Sequence, residues 1–128
     1  MWVWVAIGGA IGAVMRYLVA GFVQNKIKAV GLSFPLGTMT VNVLGSFIIG
    51  FFIDYVLEYM ASPPQIRALV VVGFLGAFTT FSSYSYETVK LLLEGDFSKA
   101  LVYSVGTNLL CFLATLLGII AARMLARV

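Results

Sequence analysis

The distribution of charge constrains this sequence more than any other feature. Residues 29–53, 68–86 and 100–122 carry no charged side chain, and residues 1–23 carry only Arg16. Because a membrane-spanning helix needs about 20 consecutive apolar residues, each stretch is long enough to cross a bilayer once. The sequence therefore predicts four spans, at about residues 2–23, 36–58, 65–93 and 99–123.

The composition and the short connections between spans predict the fold class. Hydrophobic residues make up 62% of the chain and charged residues 10%, whereas soluble domains contain about 25% charged residues. Only helices and closed barrels satisfy every backbone polar group in lipid, and the short connections leave no room for strands. We expect residues 1–128 to form a single all-α, four-helix, multi-pass transmembrane domain.

Lysine and arginine normally concentrate in cytoplasmic loops, but this chain shows almost no such bias. One side of the predicted bundle holds Arg67, Arg123 and Arg127, and the other holds Lys26, Lys28, Lys90 and Lys99. Either a span boundary is misplaced, or the protein has dual topology, with copies inserted in both directions and paired antiparallel. Because four helices make a thin bundle, we expect a dimer in both cases.

Small and polar residues recur every four positions in the first two spans. Gly8 and Gly12 form a pair that permits close approach between membrane helices. Arg16, one turn further, either faces a partner or water inside the membrane, or snorkels to its surface. In the second span, Asn42 carries an amide that needs partners for two donors and two acceptor sites. This amide is either a clamp between helices or a donor to a ligand.

The fourth span has a polar stripe of its own. It contains Tyr103, Thr107, Cys111 and Thr115, again four residues apart. This spacing places their hydroxyl and thiol groups on one helix face. Such a face either passes an ion from turn to turn or binds the helix to its neighbours.

The third span contains the sequence GAFTTFSSYSYE at residues 76–87, which is unusually polar for the middle of an apolar segment. Glycine, β-branched and hydroxyl residues weaken helices, so their clustering predicts a helix broken in mid-membrane. Exposed carbonyls at such a break can bind a cation, and the start of the second half-helix favours an anion. The alternative is an intact helix whose small residues allow tight packing.

The residues that most enzymes and metal sites use are missing from this chain. It has no histidine and one cysteine, Cys111, so we expect neither a disulfide within the chain nor a His/Cys metal cluster. No nucleophile–base pair is evident and no Lys/Arg run is present, so we expect neither an enzyme nor a nucleic-acid partner. A four-helix exporter of the small multidrug type would need a carboxylate deep in the first span, which has none. A passive conduit or a non-conducting membrane assembly subunit remains.

The polar groups along the spans favour an anion as the conducted ion. They are neutral hydroxyls, amides and aromatic rings without an acidic ring, so a cation finds no side-chain charge to attract it. Aromatic edges carry partial positive charge. Ring edges, an amide N–H and hydroxyl protons together suit a small, hard anion.

Three segments resemble the Fluc/CrcB family of fluoride channels. They are GGAIGAVMRY in the first span, GTMTVNVLGSFIIG in the second and GFLGAFTTFSSYSYE in the third. The resemblance extends over essentially the whole chain. It implies a dual-topology antiparallel homodimer in the lipid bilayer of the inner (plasma) membrane, with two pores that export fluoride passively from the cytoplasm.

The resemblance also implies roles for individual residues. Asn42 would donate to fluoride, and Phe81 would supply the first ring of an aromatic pair whose edges face the ion. The polar path would continue through Ser82, Ser83, Tyr103, Thr107, Cys111 and Thr115. Arg16 would lie near the pore vestibule. Main-chain carbonyls of Gly76 and Thr79 would bind a structural Na⁺ at the dimer two-fold.

The sequence departs from the family pattern at two positions. Tyr84 replaces the usual second phenylalanine of the aromatic pair, and Cys111 replaces a common serine of the fourth span. The tyrosine ring keeps its positive edge, but its hydroxyl would either donate to fluoride or draw in water. The thiol is only a weak hydrogen-bond donor.

Overall fold

The computed structural model describes residues 1–127, which are helical and contain no strand. Helix α1 is Trp2–Ala29, and α2 is Leu36–Tyr59, whose last part, Ile53–Tyr59, is π-helical. Helix α3 comprises residues 64–78, α4 is Phe81–Leu93 and α5 is Phe97–Ala126. Because α3 and α4 together form one span, four segments are long and apolar enough to cross a membrane, which confirms the predicted all-α membrane fold.

The first span packs closely against the third through its two glycines. A Cβ atom on Gly8 would collide with the carbonyl oxygen of Leu69, and one on Gly12 would collide with the carbonyl of Phe74. The backbones of α1 and α3 therefore touch where these glycines lie, as membrane helices do at small residues. The predicted packing role of the Gly8–Gly12 pair is confirmed.

Helix α2 packs mainly against α5, again through glycines. Gly118 of α5 lies against the backbone of Phe47, and Gly50 of α2 lies against the backbone of Thr115. At the ends of these helices, Arg123 Nε donates to Asp54 Oδ2 at 3.0 Å. These contacts join α2 and α5 into a second helix pair beside α1 and α3.

The third span breaks at Thr79 and Thr80, as the sequence predicts. Both residues have extended backbone, with φ/ψ of −87°/155° and −147°/112°. The Thr80 side chain then begins α4 by accepting a hydrogen bond from the Ser83 N–H at 3.2 Å, because a hydroxyl at this position satisfies a free N–H of the first turn. The break therefore joins two half-helices.

Much of the chain's apolar surface is not covered by the chain itself. Tyr103 and Val41 are its largest fully buried side chains, whereas Phe112, Leu109 and many other large apolar residues of the four spans are exposed. Such a surface needs lipid or a second copy to cover it. The dimer itself stays a prediction.

Candidate functional site

A cavity of about 360 Å³ lies beside the break in the third span. Its lining includes many of the residues that the sequence singled out: Asn42, Gly76, Thr79, Phe81, Tyr84, Thr107 and Cys111. They come from α2, from both halves of the third span and from α5. The fold thus gathers around one space residues that are up to 69 positions apart in the sequence (Asn42 to Cys111).

Asn42 holds the break in its extended conformation. Its Oδ1 accepts a hydrogen bond from the Thr80 N–H at 2.8 Å, and its Nδ2 donates to the Thr80 carbonyl at 3.1 Å. The amide is therefore a clamp between α2 and the third span. Nδ2 carries two N–H groups, and within residues 1–127 it donates to this carbonyl alone. The other N–H has no partner among the described residues, and Asn42 lines the cavity.

The two carbonyls predicted to bind Na⁺ lose their helical partners at this break. In a continuous helix, the Thr80 N–H would donate to the Gly76 carbonyl and the Ser83 N–H to the Thr79 carbonyl. Instead, Thr80 donates to Asn42 and Ser83 donates to the Thr80 hydroxyl. Neutral backbone oxygens of this kind suit a hard cation, so the donor set at Gly76 and Thr79 fits the predicted ion.

Thr107 borders the same cavity and has a buried hydroxyl without a partner in the described part of the chain. The residue is only 4% exposed, and its Oγ1 has no hydrogen-bond partner among the described residues. A buried hydroxyl without a partner carries a desolvation penalty of about 1–3 kcal/mol, which a bound polar species would relieve. The Thr115 hydroxyl instead donates to the Cys111 carbonyl of its own helix at 3.0 Å.

The predicted aromatic pair lies at the start of α4. The rings of Phe81 and Tyr84 are 5.6 Å apart between centroids and inclined by 64°, an edge-on arrangement. Tyr84 is 9% exposed, whereas Phe81 is 77% exposed in the single chain. Tyr84 also packs against Tyr103, at 5.4 Å between ring centroids. Both Phe81 and Tyr84 line the central cavity, and the edges of aromatic rings carry partial positive charge.

The Tyr84 hydroxyl is fully hydrogen-bonded within the chain. It donates to the Ser104 carbonyl at 3.1 Å and lies 3.2 Å from the Ser104 hydroxyl, while Asn108 Nδ2 donates to it at 2.9 Å. Asn108 lines the cavity, although the sequence patterns did not identify it. The sequence analysis also did not identify Thr80 as a site residue. Its position directly after the predicted break and shortly before Ser83 is typical of the residue that caps the start of a helix, and could have indicated it.

Arg16 lies between the break and a larger cavity of about 620 Å³. Its Nε donates to the Ala77 carbonyl at 3.0 Å, near the end of α3. The Arg16 side chain therefore has a partner inside the chain, in agreement with the prediction that it faces a partner or water within the membrane. Charged groups of both signs line this cavity: Arg16, Lys28, Lys90, Glu87 and Glu94.

The remaining predicted pore residues lie apart from the central cavity. Ser82 and Ser83 line a separate cavity of about 450 Å³ together with Glu87. Glu87 accepts a hydrogen bond from the Tyr103 hydroxyl at 3.2 Å. Tyr103 and Thr115 lie outside these three cavities, so their place along an ion path stays a prediction.

Comparisons with known proteins identify the family. The model of the family described as "CrcB-like protein, Camphor Resistance (CrcB)" matches residues 3–119. The protein named fluoride-specific ion channel FluC of Aquifex aeolicus is 49% identical over 116 residues, which cover 91% of each chain. Those of Hydrogenobaculum sp. and Magnetococcus marinus are 46% and 45% identical, and cover 89% and 95% of this chain and 90% and 97% of their own length. The chain therefore belongs to the CrcB-like family.

Proposed function

We propose that this protein is a fluoride-selective ion channel of the inner membrane, which exports fluoride passively from the cytoplasm. Its curated relatives are named fluoride-specific ion channels, and their similarity extends over nearly the whole chain. Four membrane spans and a polar cavity at the break of the third span are what a conduit of this kind needs.

The lining of the central cavity is the observation that carries this proposal. It offers neutral donors, namely an N–H of Asn42, the free hydroxyl of Thr107 and the weak thiol donor of Cys111, and it contains no carboxylate. Donors without fixed negative charge favour an anion, and several weak donors in series release it again. The ring edges of Phe81 and Tyr84 add positive potential without a trapping charge.

The ion would enter through the larger cavity, which serves as the vestibule. Arg16 lies there and would raise the local concentration of anions, because charged clefts focus the electric field. From the central cavity the ion would continue along the hydroxyl groups of Ser82, Ser83, Tyr103 and Thr115. The serine hydroxyls would replace part of the water that fluoride loses inside the membrane. Those of Tyr103 and Thr115 would do so only after turning away from the Glu87 carboxylate and the Cys111 carbonyl.

A second copy, paired antiparallel, would complete the pores. Phe81 and Gly76 border the central cavity yet are exposed in the single chain, so that a partner would close the cavity over them. Two copies related by a two-fold would give two equivalent pores in one homodimer. The nearly equal numbers of Lys and Arg residues on the two sides of the bundle agree with insertion of copies in both orientations.

A structural Na⁺ would bind where the two copies cross. One chain supplies the carbonyls of Gly76 and Thr79, both released from helical bonding, and the two-fold would double this set. Neutral oxygens from four carbonyls would hold a monovalent cation without placing a negative side chain next to the pores. The ion would thus join the dimer rather than take part in conduction.

Fluoride efflux from proteoliposomes that contain only this chain tests the function. Fluoride and chloride electrodes would follow efflux from separate preparations after the membrane potential is clamped with valinomycin. We expect rapid loss of fluoride without loss of chloride. Flux only under an imposed proton gradient would instead indicate a coupled transporter, and no flux from a correctly folded dimer would indicate a non-conducting assembly subunit.

A further inference from the structure

We infer that Asn108 and Ser104 form a latch that keeps the Tyr84 hydroxyl away from the permeating ion, so that Tyr84 acts on the ion through its ring edge alone. This inference deepens the proposed function and rests on it. It assigns a positioning role to Asn108, which the sequence patterns did not identify as part of the pore.

The hydrogen bonds around the hydroxyl carry the inference. A phenol has one proton to donate, and Tyr84 gives it to Ser104, whose carbonyl and hydroxyl oxygens lie 3.1 and 3.2 Å away. Asn108 Nδ2 donates to the phenol oxygen at 2.9 Å and to the Ser104 carbonyl, also at 2.9 Å. The donor and an acceptor site of the phenol are therefore both occupied, by residues one helical turn apart on α5.

The position of Tyr84 explains why such a latch matters. The residue lines the central cavity together with Asn42 and Thr107, so that a released hydroxyl has this cavity within its reach. Phenolic O–H groups are stronger donors than the hydroxyls of serine and threonine, and hydrogen bonds to a full negative charge are roughly twice as strong as neutral ones. A free phenol would therefore hold a small, hard anion too tightly for it to leave.

The latch thus allows Tyr84 to interact with the ion as a phenylalanine would at this position, through its ring alone. The ring stays packed against Phe81 and Tyr103 and still borders the cavity. Because Ser104 and Asn108 lie on the same face of α5, one helix turn fixes the hydroxyl without help from another segment. We therefore predict that releasing the hydroxyl slows fluoride efflux. When residue 84 has a ring without a hydroxyl, substitution of Asn108 should have little effect on the efflux rate.

A double-mutant cycle between Asn108 and Tyr84 tests this inference. Asn108→Leu has a side chain of similar size without the N–H donor, and is made in the natural protein and in the Tyr84→Phe background. We expect it to slow fluoride efflux measurably in the natural protein, because the Ser104 oxygens alone then hold the phenol, which turns toward the ion more often. In the Tyr84→Phe background the same substitution is expected to change efflux far less. If Asn108→Leu does not fold, Asn108→Ala removes the same donor without added bulk.

Three results would overturn the inference. Equal slowing in both backgrounds would show that Asn108 acts independently of Tyr84, and no slowing in the natural protein would show that the latch has no effect on conduction. Loss of efflux on Tyr84→Phe alone would show that the hydroxyl is itself a required ligand. The thermal unfolding midpoints of the same four proteins measure the hydrogen bond between Asn108 and Tyr84 independently of conduction. We expect the effects of the two substitutions on the midpoint to be non-additive even if the protein conducts nothing. Failure of the proposed function would appear as no efflux from the natural protein despite such coupling.

Discussion

The side chain of Asn42 and the backbone of Thr80 form a hydrogen-bonded pair that bonds in both directions. The Thr80 N–H donates to Asn42 Oδ1 at 2.8 Å, and Asn42 Nδ2 donates to the Thr80 carbonyl at 3.1 Å. Because the Thr80 N–H is taken in this way, α3 does not continue into α4 as one regular helix. The same amide that holds the helix open thus faces the cavity that the break creates.

We predict that Asn42→Asp abolishes fluoride efflux from proteoliposomes. The aspartate keeps an acceptor for the Thr80 N–H but loses the donor and places a negative charge beside the anion path. A barrier higher by about 3 kcal/mol slows passage roughly a hundredfold. Asn25→Asp is the matched control, since it makes the same change at an exposed residue of α1. We expect that control to conduct at the natural rate.

Folding of the Asn42→Asp protein must be measured beside its efflux. The Thr80 carbonyl loses its partner in this variant, so we expect a lower unfolding temperature but the same elution volume in size-exclusion chromatography. If a folded Asn42→Asp protein shows the natural efflux rate, Asn42 does not contact the permeating ion and serves only as a clamp between α2 and the third span.

We predict that Phe81→Ile slows fluoride efflux severely. Isoleucine fills much of the same space but offers no positive edge to an anion. Phe97→Ile is the matched control, because Phe97 is also exposed, at 67%, and lies at the start of α5 outside the three cavities. Equal efflux rates from the two variants would contradict the role of the ring edge.

The sequence predicted the spans well because the energy of burying charge dominates in a membrane. The charge-free stretches of the sequence nevertheless end before the helices of the structure do. Helix α1 continues past Lys26 and Lys28 to Ala29, because long basic side chains reach the membrane surface while their backbone stays helical. The π-helical segment Arg67–Leu75 had no sequence signal at all, since hydrophobic periodicity does not distinguish a widened helix turn.

Residue types marked the candidate site, but side-chain partners could not be predicted. Helical spacing placed Thr107 and Thr115 on one face of α5, yet only Thr107 lines the central cavity, since spacing within a helix does not say which neighbour each turn meets. The partners of Asn42 and Tyr84 lie 38 and 20–24 positions away in the chain. Such pairings depend on how the helices pack, which one sequence does not determine.

We predict that Gly12→Ala destabilises the protein and that Gly21→Ala does not, although both lie in α1. A Cβ on Gly12 would meet the Phe74 carbonyl, whereas nothing lies within 4 Å of one on Gly21. Overpacking costs about 1–3 kcal/mol, and alanine in place of an unconstrained helical glycine gains up to about 1 kcal/mol. Thermal unfolding in detergent is expected to show a lower midpoint for Gly12→Ala and an equal or higher one for Gly21→Ala. Equal midpoints would contradict the close contact of α1 with α3.

We predict that replacing Na⁺ by a larger cation weakens the dimer. The carbonyls of Gly76 and Thr79 would surround an ion of limited size, and an ion that binds only the assembled dimer stabilises it by mass action. The protein would be transferred from sodium buffer to N-methylglucamine buffer of equal ionic strength. We expect a lower unfolding midpoint, a larger monomer fraction by mass photometry in detergent and slower fluoride efflux. The first two measurements do not depend on conduction.

Thr79→Val separates the carbonyl from the side chain in this experiment. Valine has nearly the shape of threonine but lacks the hydroxyl, which in the natural protein donates to the Leu75 carbonyl at 2.9 Å and has no proton left for another acceptor. Because the proposed site uses only main-chain oxygens, the variant should keep the full difference between sodium and N-methylglucamine buffers. A sodium effect that disappears in Thr79→Val would assign the cation to the side chain. Dimer stability that is the same in both buffers for the natural protein would mean that these carbonyls bind no cation, and that water or the partner's N–H groups satisfy them instead.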